Sequence, residues 1–185
     1  MAFFFIIFFT VYTTLNYYIF IRGWQVLAAY SYLKIPYTFL FVFIAYGYVL
    51  AKLLYKVLPP LLYDIILVTG ALWFAFFVYF ILALFLIDII RLFNGWFSFL
   101  PQSITNNYES VKNITAIIVI LIVSLIVFLG YKNKHDIKIK DLELSLPKGN
   151  SKISELNVVM ASDIHLSPID GEKLLGRIVE KMNSL

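Results

Sequence analysis

The 185-residue chain contains no cysteine, so disulfides and thiolate metal sites are excluded. Charge is scarce too: 14% of the residues are Asp, Glu, Lys or Arg, where a soluble domain carries about a quarter. What charge there is falls unevenly. The first 131 residues hold six Lys or Arg and three acids, and the remaining 54 hold nine and eight. The net charge of +4 is spread along the chain, which argues against a nucleic-acid partner. The start also lacks the basic region and small-residue cleavage site of a secretory signal, since its first basic residue is Arg22. Residues 1–21 therefore read as a retained transmembrane helix.

Apolar residues make up 62% of the chain, with eighteen Phe and thirteen Tyr, a composition that belongs in a bilayer. Four spans can be laid out in order. The first has a more polar second half (Thr13, Thr14, Asn16, Tyr17, Tyr18) suited to other helices or an interface, and Arg22-Gly23-Trp24-Gln25 ends it at headgroup level. The second runs over residues 36–58, with Pro36 as a helix start and Lys52 and Lys56 snorkelling to the headgroups. Pro59-Pro60 forces a tight turn into the third, which Asp64 and Arg91 bracket. Asp88 and Arg91 stand three apart on one face and can pair. Residues 94–113 form a polar break whose Trp96, Phe97 and Phe99 suit the interface, and residues 114–131 form the fourth span. Four spans put both termini on one side. The lysine and arginine count of the loops is nearly tied and leans to a cytoplasmic tail, in a bacterial inner or plasma membrane.

After Tyr131 the period changes. Ile137 and Ile139 alternate with Lys138 and Lys140, and Leu142, Leu144 and Leu146 alternate after a slip at Asp141. This predicts a half-buried strand with a bulge. Residues 156–161 are a nearly continuous apolar run, the pattern of a strand buried on both faces. It leads into Asp163-Ile164-His165. On an extended backbone residues i and i+2 point the same way, so a carboxylate and an imidazole would converge on one point. That donor set suits Zn, Mn or Fe. An Asp-x-His alone arises by chance, with a hydrogen-bonded loop histidine as the ordinary explanation. The preceding strand and the following helix, with Asp170 as N-cap and Leu174, Leu175, Ile178, Val179 and Met182 at helical spacing, give it a context.

Residues 156–166, Leu-Asn-Val-Val-Met-Ala-Ser-Asp-Ile-His-Leu, with the helix beyond, resemble the opening of the calcineurin-like metallophosphoesterases, and the multi-span anchor resembles their bacterial membrane-anchored members. The resemblance implies an α/β/β/α sandwich with two divalent metal ions (Mn, Fe or Zn), Asp163 and His165 binding one of them. Later motifs of that family, a bridging Asp, a Gly-Asn-His and a Gly-His-x-His, are not found before Leu185. The expected fold is thus four transmembrane helices followed by the first strands and helix of an incomplete α/β sandwich. The expected organisation is an anchor over 1–131, a linker with an edge strand over 132–152, and the start of the phosphoesterase domain over 153–185. The expected function is hydrolysis of a phosphate ester, with a lipid-linked one attractive, by a longer parent of which this chain is an inactive N-terminal portion partnered by the bilayer. The alternative is a non-enzymatic four-span protein whose small cytoplasmic tail serves interaction or assembly. A transporter has thinner support, from Asn16 and Gly70 alone.

Overall fold

The computed structural model describes residues 2–144, 157–164 and 171–185. Among the described residues six α-helices follow one another: α1 (Ala2–Val26), α2 (Ser31–Leu53), α3 (Pro60–Phe97), the short α4 (Gln102–Asn106), α5 (Tyr108–Lys134) and α6 (Gly171–Asn183). A single 3-10 turn, Leu27–Ala29, joins α1 to α2. The chain divides into two compact units, Met1–Leu129 and Gly130–Leu185. Four stretches are long and apolar enough to cross a membrane: Phe3–Ala29, Ser31–Leu53, Pro60–Phe97 and Tyr108–Lys134.

The four spans stand where the hydropathy put them, but their ends differ. α1 ends at Val26, one residue past the Arg22-Gly23-Trp24-Gln25 stretch that was expected to close it. The α2 helix begins at Ser31, so Pro36 lies inside it rather than at its start. As the sixth helical residue it lies past the unbonded first turn, so the helix forgoes the one bond that position 36 would donate to the carbonyl of Tyr32. Pro60 does open α3, at the helix position where a proline N–H is not needed. At 38 residues α3 is about 57 Å long, against a hydrocarbon core of about 30 Å, so it tilts or protrudes. It stops at Ser98, which adopts the left-handed conformation (φ 48°) while its N–H bonds Asn94 O at 2.8 Å. The Asn94 side chain accepts from Leu100 N–H, also at 2.8 Å, and secures the exit.

Within the first unit α2 and α3 pack most closely, as the short Pro-containing turn demands. Small residues permit it. Ala45, Gly47 and Ala51 are the buried residues of α2, and Gly70 faces them from α3. A Cβ on Gly70 would overlap the backbone nitrogen of Tyr48, so no larger residue fits without separating the helices. Close approach of backbones is what drives helix association where lipid and leucine are equally apolar. Around the contact, Ile19, Ala45 and Trp73 form the buried core, with Phe41, Ile44, Phe77 and Phe80 packed on it. The outer faces carry Phe, Leu and Ile, as a helix in lipid requires.

The second unit corrects the sequence reading. No strand is formed among the described residues, so the expected α/β sandwich start is absent there. Residues 136–144 and 157–164 are irregular, and the apolar side chains read as buried lie open: Leu142 is 73% exposed, Val158 75% and Met160 83%. Alternation records a preference, but a strand exists only when a neighbour takes its backbone hydrogen bonds, and these segments pair with nothing described. Residues 145–156, with part of both expected strands, lie outside the described residues. The expected helix is present as α6, with Gly171 as its first residue, and Leu174, Ile178 and Met182 share its less exposed face.

The Gly70 contact yields a test. Gly70→Ala overpacks the helix pair and lowers stability in detergent by about 1–3 kcal/mol. Gly95→Ala, which meets open space, is neutral or stabilises by up to about 1 kcal/mol, because alanine is the better helix former. Thermal unfolding of both variants measures this, and equal behaviour of the two refutes the close α2–α3 approach.

Candidate functional site

Three places carry chemistry: the loop holding Asp163, a buried polar chain inside the bundle, and a charged cleft at one end of it. Asp163 lies exposed on the irregular stretch 157–164, with φ 54°. Aspartate is among the few residues that adopt this left-handed conformation readily. It means that the chain turns at the carboxylate itself, so the shared direction expected of positions 163 and 165 on an extended strand does not follow from the backbone there. His165 lies outside the described residues, as does the expected N-cap Asp170. Among the described residues no group of three His, Cys, Asp or Glu side chains gathers. The described donors therefore do not fit a metal by themselves, and one exposed carboxylate gives no geometry for one.

Nearby in the second unit, Arg177 of α6 donates to the backbone oxygen of His135 at 2.9 Å. The His135 ring packs on Tyr131 with centroids 4.5 Å apart, and its Nδ1–H donates to Tyr131 O at 2.9 Å. These contacts fasten α6 to the segment leaving α5.

Inside the bundle Asn16 is 2% exposed, the buried polar residue of the apolar core. Its Oδ1 accepts from Trp73 Nε1–H at 2.9 Å, and its Nδ2 donates to Tyr12 O at 2.9 Å. The Tyr12 hydroxyl in turn donates to Ala45 O at 2.6 Å. One chain of hydrogen bonds thus ties α1, α2 and α3 together. Tyr46 adds a bond to Thr13 at 2.9 Å, and Tyr37 one to Phe20 O at 3.0 Å. Of the residues expected to face helices or an interface, Thr13, Asn16 and Tyr18 bond to α2 or α3, while Thr14 and Tyr17 lie exposed.

At the end of the bundle where α1 finishes and α5 begins, Asp88 accepts two hydrogen bonds on one oxygen, from Arg22 and from the Tyr18 hydroxyl, the latter at 2.6 Å. Arg91 pairs with its other oxygen at 3.8 Å, as the i,i+3 spacing suggested. The Arg22 partnership was not legible, because the two residues are 66 apart in sequence. Tyr108 accepts a long 3.4 Å bond from Arg91 and lies under the Arg91 and Lys112 cations, at 5.6 and 6.0 Å. Lys112 pairs with Glu109 at 2.5 Å, and Lys34 sits 5.1 Å over the Trp24 ring. A cavity of about 400 Å³ opens among Arg22, Trp24, Lys34, Arg91, Tyr108 and Lys112.

No family model matches the chain, and neither a curated protein nor a solved structure does. The resemblance of residues 156–166 therefore rests on those residues alone.

The Asn16 chain makes a prediction. Asn16→Val strands the Trp73 indole N–H and lowers stability by about 1–2 kcal/mol, above the mean of about 0.6 for interhelical bonds in membranes because the donor stays buried. Adding Trp73→Phe to it costs less than the sum of the two single changes. Thermal unfolding of the four proteins of this cycle checks it; strict additivity refutes the coupling.

Proposed function

We propose that this protein is a membrane-anchored, metal-dependent phosphoesterase in which Asp163 and His165 are two ligands of a divalent ion. The observation that carries the reading is the stretch 158–166, an apolar run that ends in an Asp-x-His. A carboxylate oxygen and an imidazole nitrogen suit Zn, Mn or Fe, and such ions serve phosphate-ester hydrolysis by binding phosphate oxygens and activating water. Asp163 and His165 are two of the donors; further ones complete the site. The four spans support a substrate met at a bilayer, and hence a lipid-linked phosphate ester. The competing reading, a four-span protein whose tail mediates assembly, requires no ion.

The test uses protein expressed from its whole reading frame and reconstituted in nanodiscs. With Mn²⁺ it hydrolyses an aryl phosphate, chelator abolishes the activity, and Mn²⁺ restores it. Asp163→Asn and His165→Ala each lower turnover by about 100-fold or more, the upper end of what even outer partners of metal ligands contribute. Metal-independent turnover, or two variants as active as the parent, refutes the assignment and favours the assembly reading.

A further inference from the structure

The cleft between the ends of α1, α2, α3 and α5 is independent of the phosphoesterase reading, because neither Asp163 nor His165 takes part in it. Its charge is unbalanced. Residues 20–36 and 86–113 contain six charged side chains, and all six meet here: Arg22, Lys34, Arg91 and Lys112 against Asp88 and Glu109. Four cations face two carboxylates, which leaves two positive charges in excess. Asp88 does not neutralise the arginines so much as hold them, since it is shared between Arg22 and Arg91. Lys34 has an aromatic ring and no carboxylate for company among the described residues. Lys112 is less exposed than either arginine, its side chain 14% accessible against 28% for Arg22 and 48% for Arg91, while its partner Glu109 is 70% accessible.

Such a set is costly to assemble unless an anion completes it. Like charges gathered in a partly enclosed cavity repel, and the penalty grows as water leaves. The surroundings name the anion. Trp24 and Tyr108 are residues of the headgroup level, and both hold cations on their ring faces. Arginine presents a planar fork that matches two phosphate oxygens, and basic pockets between transmembrane helices take lipid headgroups. About 400 Å³ is within the size range of ligand pockets and admits a phosphate with part of its headgroup. We propose that this cleft binds a phosphate group, supplied by an anionic phospholipid of the surrounding leaflet.

The experiment uses the purified chain in maltoside micelles, with lipid retention followed by native mass spectrometry. The probes are dioctanoyl phosphatidylglycerol, dioctanoyl phosphatidylcholine and inorganic phosphate. The expected result is saturable retention of one phosphatidylglycerol, weakened about five-fold by Lys34→Gln and further by Lys34→Gln/Lys112→Gln, in line with the weight of one lysine at a charged membrane surface. Lys52→Gln/Lys56→Gln, on the last turn of α2 and beyond, leaves retention unchanged. Displacement of phosphatidylglycerol by millimolar inorganic phosphate, with the same dependence on Lys34 and Lys112, upholds the phosphate site and assigns it to a soluble phosphate. Equal retention of phosphatidylcholine by the unaltered chain overturns the proposal without any variant. So does retention of neither lipid, or an equal loss on changing Lys52 and Lys56.

Discussion

A polar group in hydrocarbon has no water to fall back on, and the first unit of this protein is arranged around that constraint. Asn16 is the residue on which it bears hardest. A carboxamide has several hydrogen-bonding positions, and each left unpaired at that depth costs kilocalories. Its two contacts, to the Trp73 indole and the Tyr12 carbonyl, require α3 to present Trp73 at one height against α1. The Tyr12 hydroxyl then requires α2 to present Ala45 there as well. Packing supplies most of the attraction in such a bundle. The hydrogen bonds select a register at which Asn16, Trp73 and Tyr12 each find a partner.

Small residues and this register support each other. Gly70 lets α3 meet the backbone of α2 at Gly47 and Tyr48. The close approach seats Trp73 edge-on against Phe41, with centroids 5.2 Å apart. A wider pair of helices would lose this contact. Toward the end of the bundle the same logic runs through charge. Asp88 stands at the edge of a 23-residue uncharged stretch, residues 65–87, and takes Arg22 and Tyr18 from α1 as partners. This lets α1 keep Arg22 within its closing turns. A cation with a carboxylate partner across the helix interface need not leave the helix to find water.

The second unit follows a different physics. Its charged, alternating sequence has the period of strands, yet 136–144 and 157–164 are irregular, with their large apolar side chains open. A helix closes its hydrogen bonds within itself, so α6 forms from thirteen residues of local pattern. A strand has no such recourse; its ladder is always someone else's backbone. Reading Val158-Val159-Met160 as a buried strand was a statement about where those residues would be content, and the described structure offers no such place.

Residue by residue, the sequence by itself determined everything that depends on local pattern. The spans were visible because crossing hydrocarbon needs about twenty successive apolar residues, and no fold is required to count them. The turn at Pro59-Pro60, the Asp88–Arg91 pair and the helix after Gly171 were legible for the same reason, as they act within one turn or two. The tertiary structure alone decided the rest. Asn16 meets Trp73 across 57 residues, and Arg22 meets Asp88 across 66. Lys34 and Lys112, each ordinary as an interfacial lysine, share one cavity because antiparallel helices return to the same surface. Spacing in a linear chain carries no record of which helix faces which. That information resides in the packing of small residues and in the partners that Asn16, Tyr12 and Asp88 find on other helices.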